Sequence, residues 1–274
     1  MPSGTFDRRA TVNLSVSLCI PRIFATLWLC VMVCVASYAF PDAQELLRAS
    51  DAIRNPDRPF VLDVTLTEYR DRQQRDSSTL AVYARMSTDS GQYDNLVHII
   101  EPPRDANKLL LKNGNEIWLF DPSSKASIRL SPQQRLLGQA ANGDVVTVNL
   151  SHDYQAELVG EELIVDAGKQ ERSTYRLKLS ANTPDVTYHA IEYWLDKTNS
   201  RPVKATFYSQ SGRLLKTAFY RRYEMQLGRE RPTEIVIIDG LDPKWITVMR
   251  YSNFRYRDIP DSWLQRDYLP NFRG

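Results

Sequence analysis

The chain has 274 residues, 42% hydrophobic and 25% charged, with 35 Lys and Arg against 33 Asp and Glu. That balance argues against nucleic acid or an anionic surface as the main partner. All three cysteines, Cys19, Cys30 and Cys34, precede residue 40; the rest of the chain has no disulfide, no thiol nucleophile and no cysteine-bound metal, and depends on a well-filled core.

The first segment reads as an export signal. Arg8, Arg9 and Arg22 precede an uncharged apolar run over 23–36, and Ser37-Tyr38-Ala39 supplies small residues at a cleavage site. The run is short for a spanning helix, which needs about 20 residues. Cleavage after Ala39 is expected, with an uncleaved anchor as the alternative. Removing 1–39 leaves 32 residues of each charge sign in one expected domain over 40–274.

A helix is expected over 40–55. Asp42 is placed to cap it, Glu45 stands in capping-box position, and Leu46, Leu47, Ser50 and Ile53 form its apolar side. It would be a lid over a cavity or a helix packed on a sheet. After Pro59 the period becomes two: Phe60, Leu62, Val64 and Leu66 share one strand face, with Asp63, Thr65 and Thr67 on the other. A polar turn over 70–78 leads to strands at 79–87 and 96–100.

The segment 108–137 says most. Strands at 116–120 and 126–130 flank the turn Asp121-Pro122-Ser123-Ser124-Lys125. In the first strand Ile117 and Leu119 point one way, Trp118 and Phe120 the other, so both faces are apolar. One face can sit on a core; the other needs a lid helix, a partner or a hydrophobic ligand. Residues 131–141 read as helical or irregular, with Pro132 suited to a first helical turn, and 152–162 as a second short helix. Six strands follow, at 173–179, 188–196, 203–209, 213–224, 234–239 and 246–256. Their short turns make them antiparallel neighbours. A tail over 261–268, capped by Asp261, turns Trp263 and Leu264 towards the body.

Catalytic signatures are missing: no G-x-S-x-G, no H-E-x-x-H, no phosphate loop, no dinucleotide fingerprint. His98, His152 and His189 lie far apart in sequence. Adjacent residues such as His152-Asp153 rarely point the same way, and Glu161-Glu162 reads as solvated charge. Aromatics on the strands fill a core, yet the two-faced strand and sparse helices leave room for a cavity. An acyl chain of about 16 carbons, at roughly 0.8 kcal/mol per methylene, would gain on the order of 12 kcal/mol there from apolar walls alone.

The run from Leu109 to Pro122, with Arg129-Leu130-Ser131 and Gln133 to Gly138 after it, resembles the LolA-like outer-membrane lipoprotein-sorting proteins. It is most similar to the branch found beside RND-superfamily (MMPL-type) exporters or lipoprotein-releasing ABC permeases. The later pieces Tyr193-Trp194-Leu195-Asp196-Lys197, Arg201-Pro202-Val203-Lys204, Ser211 to Thr217, Arg231-Pro232-Thr233 and Ile259-Pro260-Asp261 are similar too.

The resemblance implies a mostly β fold: one strongly curved antiparallel sheet, an incomplete β-barrel, with a few helices closing its concave side. It implies a periplasmic, non-catalytic carrier or adaptor for lipid or lipoprotein acyl chains, with no cofactor and no metal, serving an inner-membrane transporter of either kind named above. Candidate wall residues are Leu62, Val64, Leu109, Leu111, Ile117, Trp118, Leu119 and Phe120. A monomer is expected, with no nucleic-acid partner. The alternatives are a periplasmic sensor of the same fold that binds a lipid or peptide signal, and an enzyme that reuses the cavity.

Overall fold

The computed structural model describes residues 41–274; the expected leader and its cysteines lie outside the described residues. Helix α1 (Ala43–Arg54) starts where the cap predicts, with Asp42 accepting from the Glu45 amide at 2.8 Å. The capping box is only half formed, because the Glu45 carboxylate turns to Arg48 instead.

Six strands follow as a meander: β1 (Phe60–Arg70), β2 (Gln73–Met86), β3 (Tyr93–Glu101), β4 (Leu109–Asn113), β5 (Glu116–Asp121) and β6 (Ala126–Leu130). A crossover over 131–153 carries the small hairpin β7 (Arg135–Leu137) and β8 (Ala140–Ala141), a 3-10 turn (Asn142–Asp144) and the four-residue helix α2 (Leu150–Asp153). A second meander runs through β9 (Tyr154–Val165), β10 (Glu171–Ala181), β11 (Ala190–Asp196), β12 (Pro202–Tyr208), β13 (Leu214–Gln226), β14 (Arg229–Asp239) and β15 (Trp245–Tyr256).

β1 pairs antiparallel with β15, which joins the two meanders into one 13-stranded sheet that begins at β6 and ends at β9. Those two strands do not pair with each other, so the sheet is not closed into a barrel. Register shifts at Val61/Asp63, Thr79/Leu80 and Arg176/Leu177 mark bulges, the device that bends a long sheet. The crossover links the two free edges and packs over the inner face, so sheet and crossover enclose a space.

Three local expectations are corrected. The polar stretch 70–78 is mostly strand: the chain reverses in two residues, Asp71 and Arg72, both at positive φ, as in the turn that suits strand twist. Polar side chains do not prevent pairing where a hairpin runs out beyond the core. Residues 131–141 form the β7–β8 hairpin, not a helix. Gly138 (φ +56) makes its turn, and a Cβ there would lie 2.3 Å from the Thr247 hydroxyl. Residues 154–162 are strand rather than helix, since Tyr154, Ala156 and Leu158 alternate onto the inner core while β9 pairs along β10.

The inner face carries the main core, including Leu47, Leu62, Val64, Leu66, Leu110, Ile117, Leu177, Tyr193, Ile237 and Met249. A second core lies on the outer face of β1–β5, built from Val61, Tyr83, Leu96, Leu109, Leu111 and Phe120. Its cover is the chain's own C-terminus. Ile259, Leu264, Leu269 and Phe272 pack onto it, with Trp263 set edge-on to Phe272 at 4.9 Å. Asp261 does not cap the tail; it pairs with Arg85, whose guanidinium also donates to the Ile259 carbonyl. The helical elements therefore lie on both faces of the sheet.

One outer-face charge cluster contributes to the acid limb of stability. The Glu234 side chain is fully buried beneath Arg221, Arg222 and Arg250. Burial pushes its carboxyl up, but hydrogen bonds from Arg221 and Arg250 and the charges of Arg221 and Arg222 outweigh it and hold it below the usual 4.5. A carboxyl depressed in the folded state contributes stability above its unfolded pKa and loses it as pH falls through the folded value. Urea titrations from pH 7 downward are expected to show a loss beginning near pH 4.5. In Glu234→Gln that part of the acid limb is expected to flatten; an unchanged slope would remove Glu234 from the account.

Candidate functional site

The space between the inner face and its covers holds a mostly apolar cavity of about 150 Å³. Its floor comes from Phe60, Leu62, Val82, Ile117, Ile191, Phe207, Ala218, Tyr220, Ile237 and Met249. These sit on eight strands, and the two-residue period of each strand aims them inward. The roof is the crossover run Val145-Val146-Thr147-Val148, with Leu150 behind it and Arg54 and Asn55 at the end of α1.

Polar bonds staple α1 to the crossover. The Asp51 carboxylate accepts from the amides of Leu150 (3.1 Å) and Ser151 (2.7 Å), the free donors at the start of α2, and from Arg54. Arg54 and Asn55 both donate to the Val148 carbonyl, at 3.2 and 2.9 Å. The Gln44 amide bridges Ser151 and Tyr154 carbonyls to the Ala156 amide. At the other end Arg231, from β14, donates to the Ala52 and Ile53 carbonyls, which places a cation at the negative end of the helix dipole.

A buried polar cluster marks one end of the cavity. Lys216 on β13 pairs with Asp144 and donates to the Gln139 carbonyl at 3.0 Å. Asp144 also accepts from the Tyr188 hydroxyl at 2.7 Å and the Ala141 amide at 2.7 Å. Burial pulls the Lys216 ammonium below its ordinary range, against the opposing pull of Asp144, and pushes the Tyr188 phenol well up. Lys112, also in the cavity wall, is lowered by burial in the same way and donates to the Tyr93 and Gly114 carbonyls.

The candidate wall residues divide between the two faces. Leu62, Val64 and Ile117 belong to the inner core, and Leu119 packs against it; Leu62 and Ile117 line the cavity itself. Leu109, Leu111 and Phe120 belong to the outer core, with Trp118 beside them and Arg266 over its ring at 4.8 Å. The sequence reading missed Asp51, Arg54, Asp144, Tyr188 and Lys216. One signal was available: Lys216 falls in phase with the inward Ala218 and Tyr220 of a strand, where a lone lysine needs a partner.

Of the two acid–base pairs singled out in the sequence, one is drawn apart and the other meets. Glu161 and Glu162 point apart, one to Lys197 and the other to the Trp194 indole at 2.9 Å. His152 does bond its neighbour Asp153, at 2.9 Å, with the histidine ring exposed; the expectation that the two diverge is corrected, both residues standing in the last turn of the short α2. Among the described residues no group of three or more His, Cys, Asp or Glu could hold a metal ion, and no helix is long and apolar enough to cross a membrane.

Comparison with known proteins settles the family. A crystal structure from Nitrosomonas europaea, described as a LolA superfamily protein, is 35% identical and superposes with a TM-score of 0.75 over 84% of this chain and 100% of that one. The chain belongs to the LolA superfamily. A family model described as "Uncharacterized protein" also matches residues 91–271. Two more distant members of the fold show how far its geometry outlasts sequence. A Vibrio parahaemolyticus domain described as a "putative outer membrane lipoprotein-sorting protein domain" has 16% identity and a TM-score of 0.70, over 83% of this chain and 98% of its own. A DUF1329 family protein from Desulfovibrio piger has 18% identity and the same TM-score, over 83% and 97%. No curated protein matches the chain.

Proposed function

We propose that the protein is a periplasmic, non-catalytic carrier or adaptor that holds the acyl chains of a lipid or lipoprotein in the inner cavity. Under this reading residues 1–39 direct export, residues 40–274 act as one binding domain, and an exporter of the RND/MMPL type or a lipoprotein-releasing ABC permease is the inner-membrane partner. The lipoprotein-sorting name of the Vibrio parahaemolyticus domain agrees with this. The observation that carries it is the apolar cavity roofed by a separately stapled helix and crossover.

Size decides how such a carrier would work. A cavity of about 150 Å³ is the size that admits benzene in a well-studied engineered case. A long acyl chain needs several times that space. The described conformation is therefore the closed one, and loading requires α1 and the crossover to move off the sheet.

The test is lipid mass spectrometry on protein purified from the periplasm, alongside Ala218→Leu, which fills the cavity from its floor. Overpacking of this kind costs roughly 1–3 kcal/mol, so the variant is expected to fold. Stoichiometric lipid or lipoprotein in the parent, lost from a folded variant, supports the reading. A parent that carries no lipid and binds no fluorescent fatty acid overturns it.

A further inference from the structure

We infer that the ligand is an anionic amphiphile, its acyl chain in the inner cavity and its phosphate-type head group in a recess beside it. This rests on the carrier reading above. The recess has a volume of about 710 Å³ and opens between the β7–β8 hairpin, the loop before β11 and the β12–β13 turn. Cavity and recess share Val186, Thr187, Tyr188 and Lys216 in their lining, so the apolar chamber and the polar one adjoin at these side chains.

The recess has the charge of an anion site. Its charged lining residues are Arg135, Arg213 and Lys216, and no carboxylate lines it. Lys216 is already matched by Asp144, which leaves the two arginines as the net charge. Arg213 stands exposed, without a carboxylate at salt-bridge distance among the described residues. Arg135 is half-exposed and 3.5 Å from Asp239, a contact weak enough to yield to a ligand. Two guanidinium forks suit a phosphate, whose oxygens accept paired N–H donors. A second observation agrees. Gln139 is buried in the same wall, and its Nε2 has no hydrogen-bond partner, which is uncommon for a buried donor.

The experiment titrates the full protein by calorimetry with lauroyl-lysophosphatidylglycerol and monolauroylglycerol, each below its micelle concentration, and with glycerol phosphate. The anionic lipid is expected to bind about tenfold more tightly than the uncharged one, which has the same chain and no phosphate, the size of two exposed charge contacts, and salt should narrow the gap. The double variant Arg135→Gln/Arg213→Gln is expected to abolish the preference, while monolauroylglycerol, with no phosphate for the arginines to meet, binds as before; thermal melting checks that the variant is folded. Equal binding of both lipids by the parent, or an equal loss for both in the variant, overturns the head-group site and leaves the carrier reading standing. Glycerol phosphate binding as tightly as the anionic lipid makes the recess a site for a soluble anion and overturns the amphiphile. Failure of both lipids to bind removes the carrier reading, and this inference with it.

Discussion

Asp51→Ala is expected to lower stability by about 3–5 kcal/mol, seen as a fall in the urea midpoint at neutral pH. The magnitude follows from what the carboxylate leaves behind. Its side chain is 5% exposed and faces Arg54, itself only 17% exposed. Without Asp51 the guanidinium keeps only the Val148 carbonyl, and its Nε has no partner even now. The Leu150 and Ser151 amides lose their acceptor at the same time, and each buried donor left unmade adds about 1–3 kcal/mol before relaxation. Asp51→Asn, which keeps the shape and one acceptor oxygen, is expected to cost less. Because Asp51 is the joint between α1 and the crossover, the loss should be local. Amides over 145–151 are expected to exchange faster with solvent while those of β1 and β15 change little. A stability loss below about 1 kcal/mol, or exchange that rises evenly over the sheet, would show that the roof is held by apolar contact alone.

The division of Leu109–Phe120 between two cores explains what the sequence could and could not say. That β5 is apolar on both faces was legible from Ile117, Trp118, Leu119 and Phe120, because strand periodicity is local. What covers each face was not, because the cover comes from parts of the chain far away in sequence: Leu47 and Leu150 on one side, Leu264 and Phe272 on the other. The strand order was legible wherever a short turn joined neighbours. The β1–β15 pairing, which makes one sheet of two meanders, has no local signature. Misread segments failed for a related reason. β9 carries Glu157, Glu161 and Glu162 because it is an edge strand with solvent on its free side, and such a strand looks polar and helical by composition. The site was the least visible part. Asp51 reaches Ser151, 100 residues further along the chain, and Asp144 reaches Lys216, 72 residues further.

Two features of the fold thereby acquire a common purpose. A crossover is needed to connect the free edges β6 and β9, and the same segment supplies the cavity roof. Closing the barrel by pairing β6 with β9 would remove the mouth. Leaving the mouth bare would expose the inner core. The roof is held by polar staples as well as by Val145, Val146 and Leu150 packed into the inner core; under the carrier reading it would have to leave and return, and its hydrogen bonds could then be exchanged for bonds to water at modest net cost.

The second joint of that roof is the Asp144–Lys216 pair, and removing one partner is again expected to be costly. Asp144→Ala leaves the Lys216 ammonium, 5% exposed, with only the Gln139 carbonyl, and leaves the Tyr188 hydroxyl and Ala141 amide without their acceptor. A loss of about 3–5 kcal/mol is expected at pH 7. Its pH dependence separates charge from packing. Lys216 is lowered in the folded state, so between its folded and unfolded pKa the unfolded chain binds more protons, and stability rises with pH through that window. Without Asp144 the lysine loses the group that held its charge, the folded value falls further and the window widens. The deficit of Asp144→Ala should therefore shrink as pH is raised towards the ordinary lysine value of 10.5. Adding Lys216→Met should recover part of the loss at pH 7, because an apolar side chain of similar length leaves no charge buried. Recovery would be incomplete, since Tyr188 and Ala141 still lack a partner. Additive losses in the double variant, with a deficit flat in pH, would mean the pair is solvated in solution and does not fasten the crossover to β13.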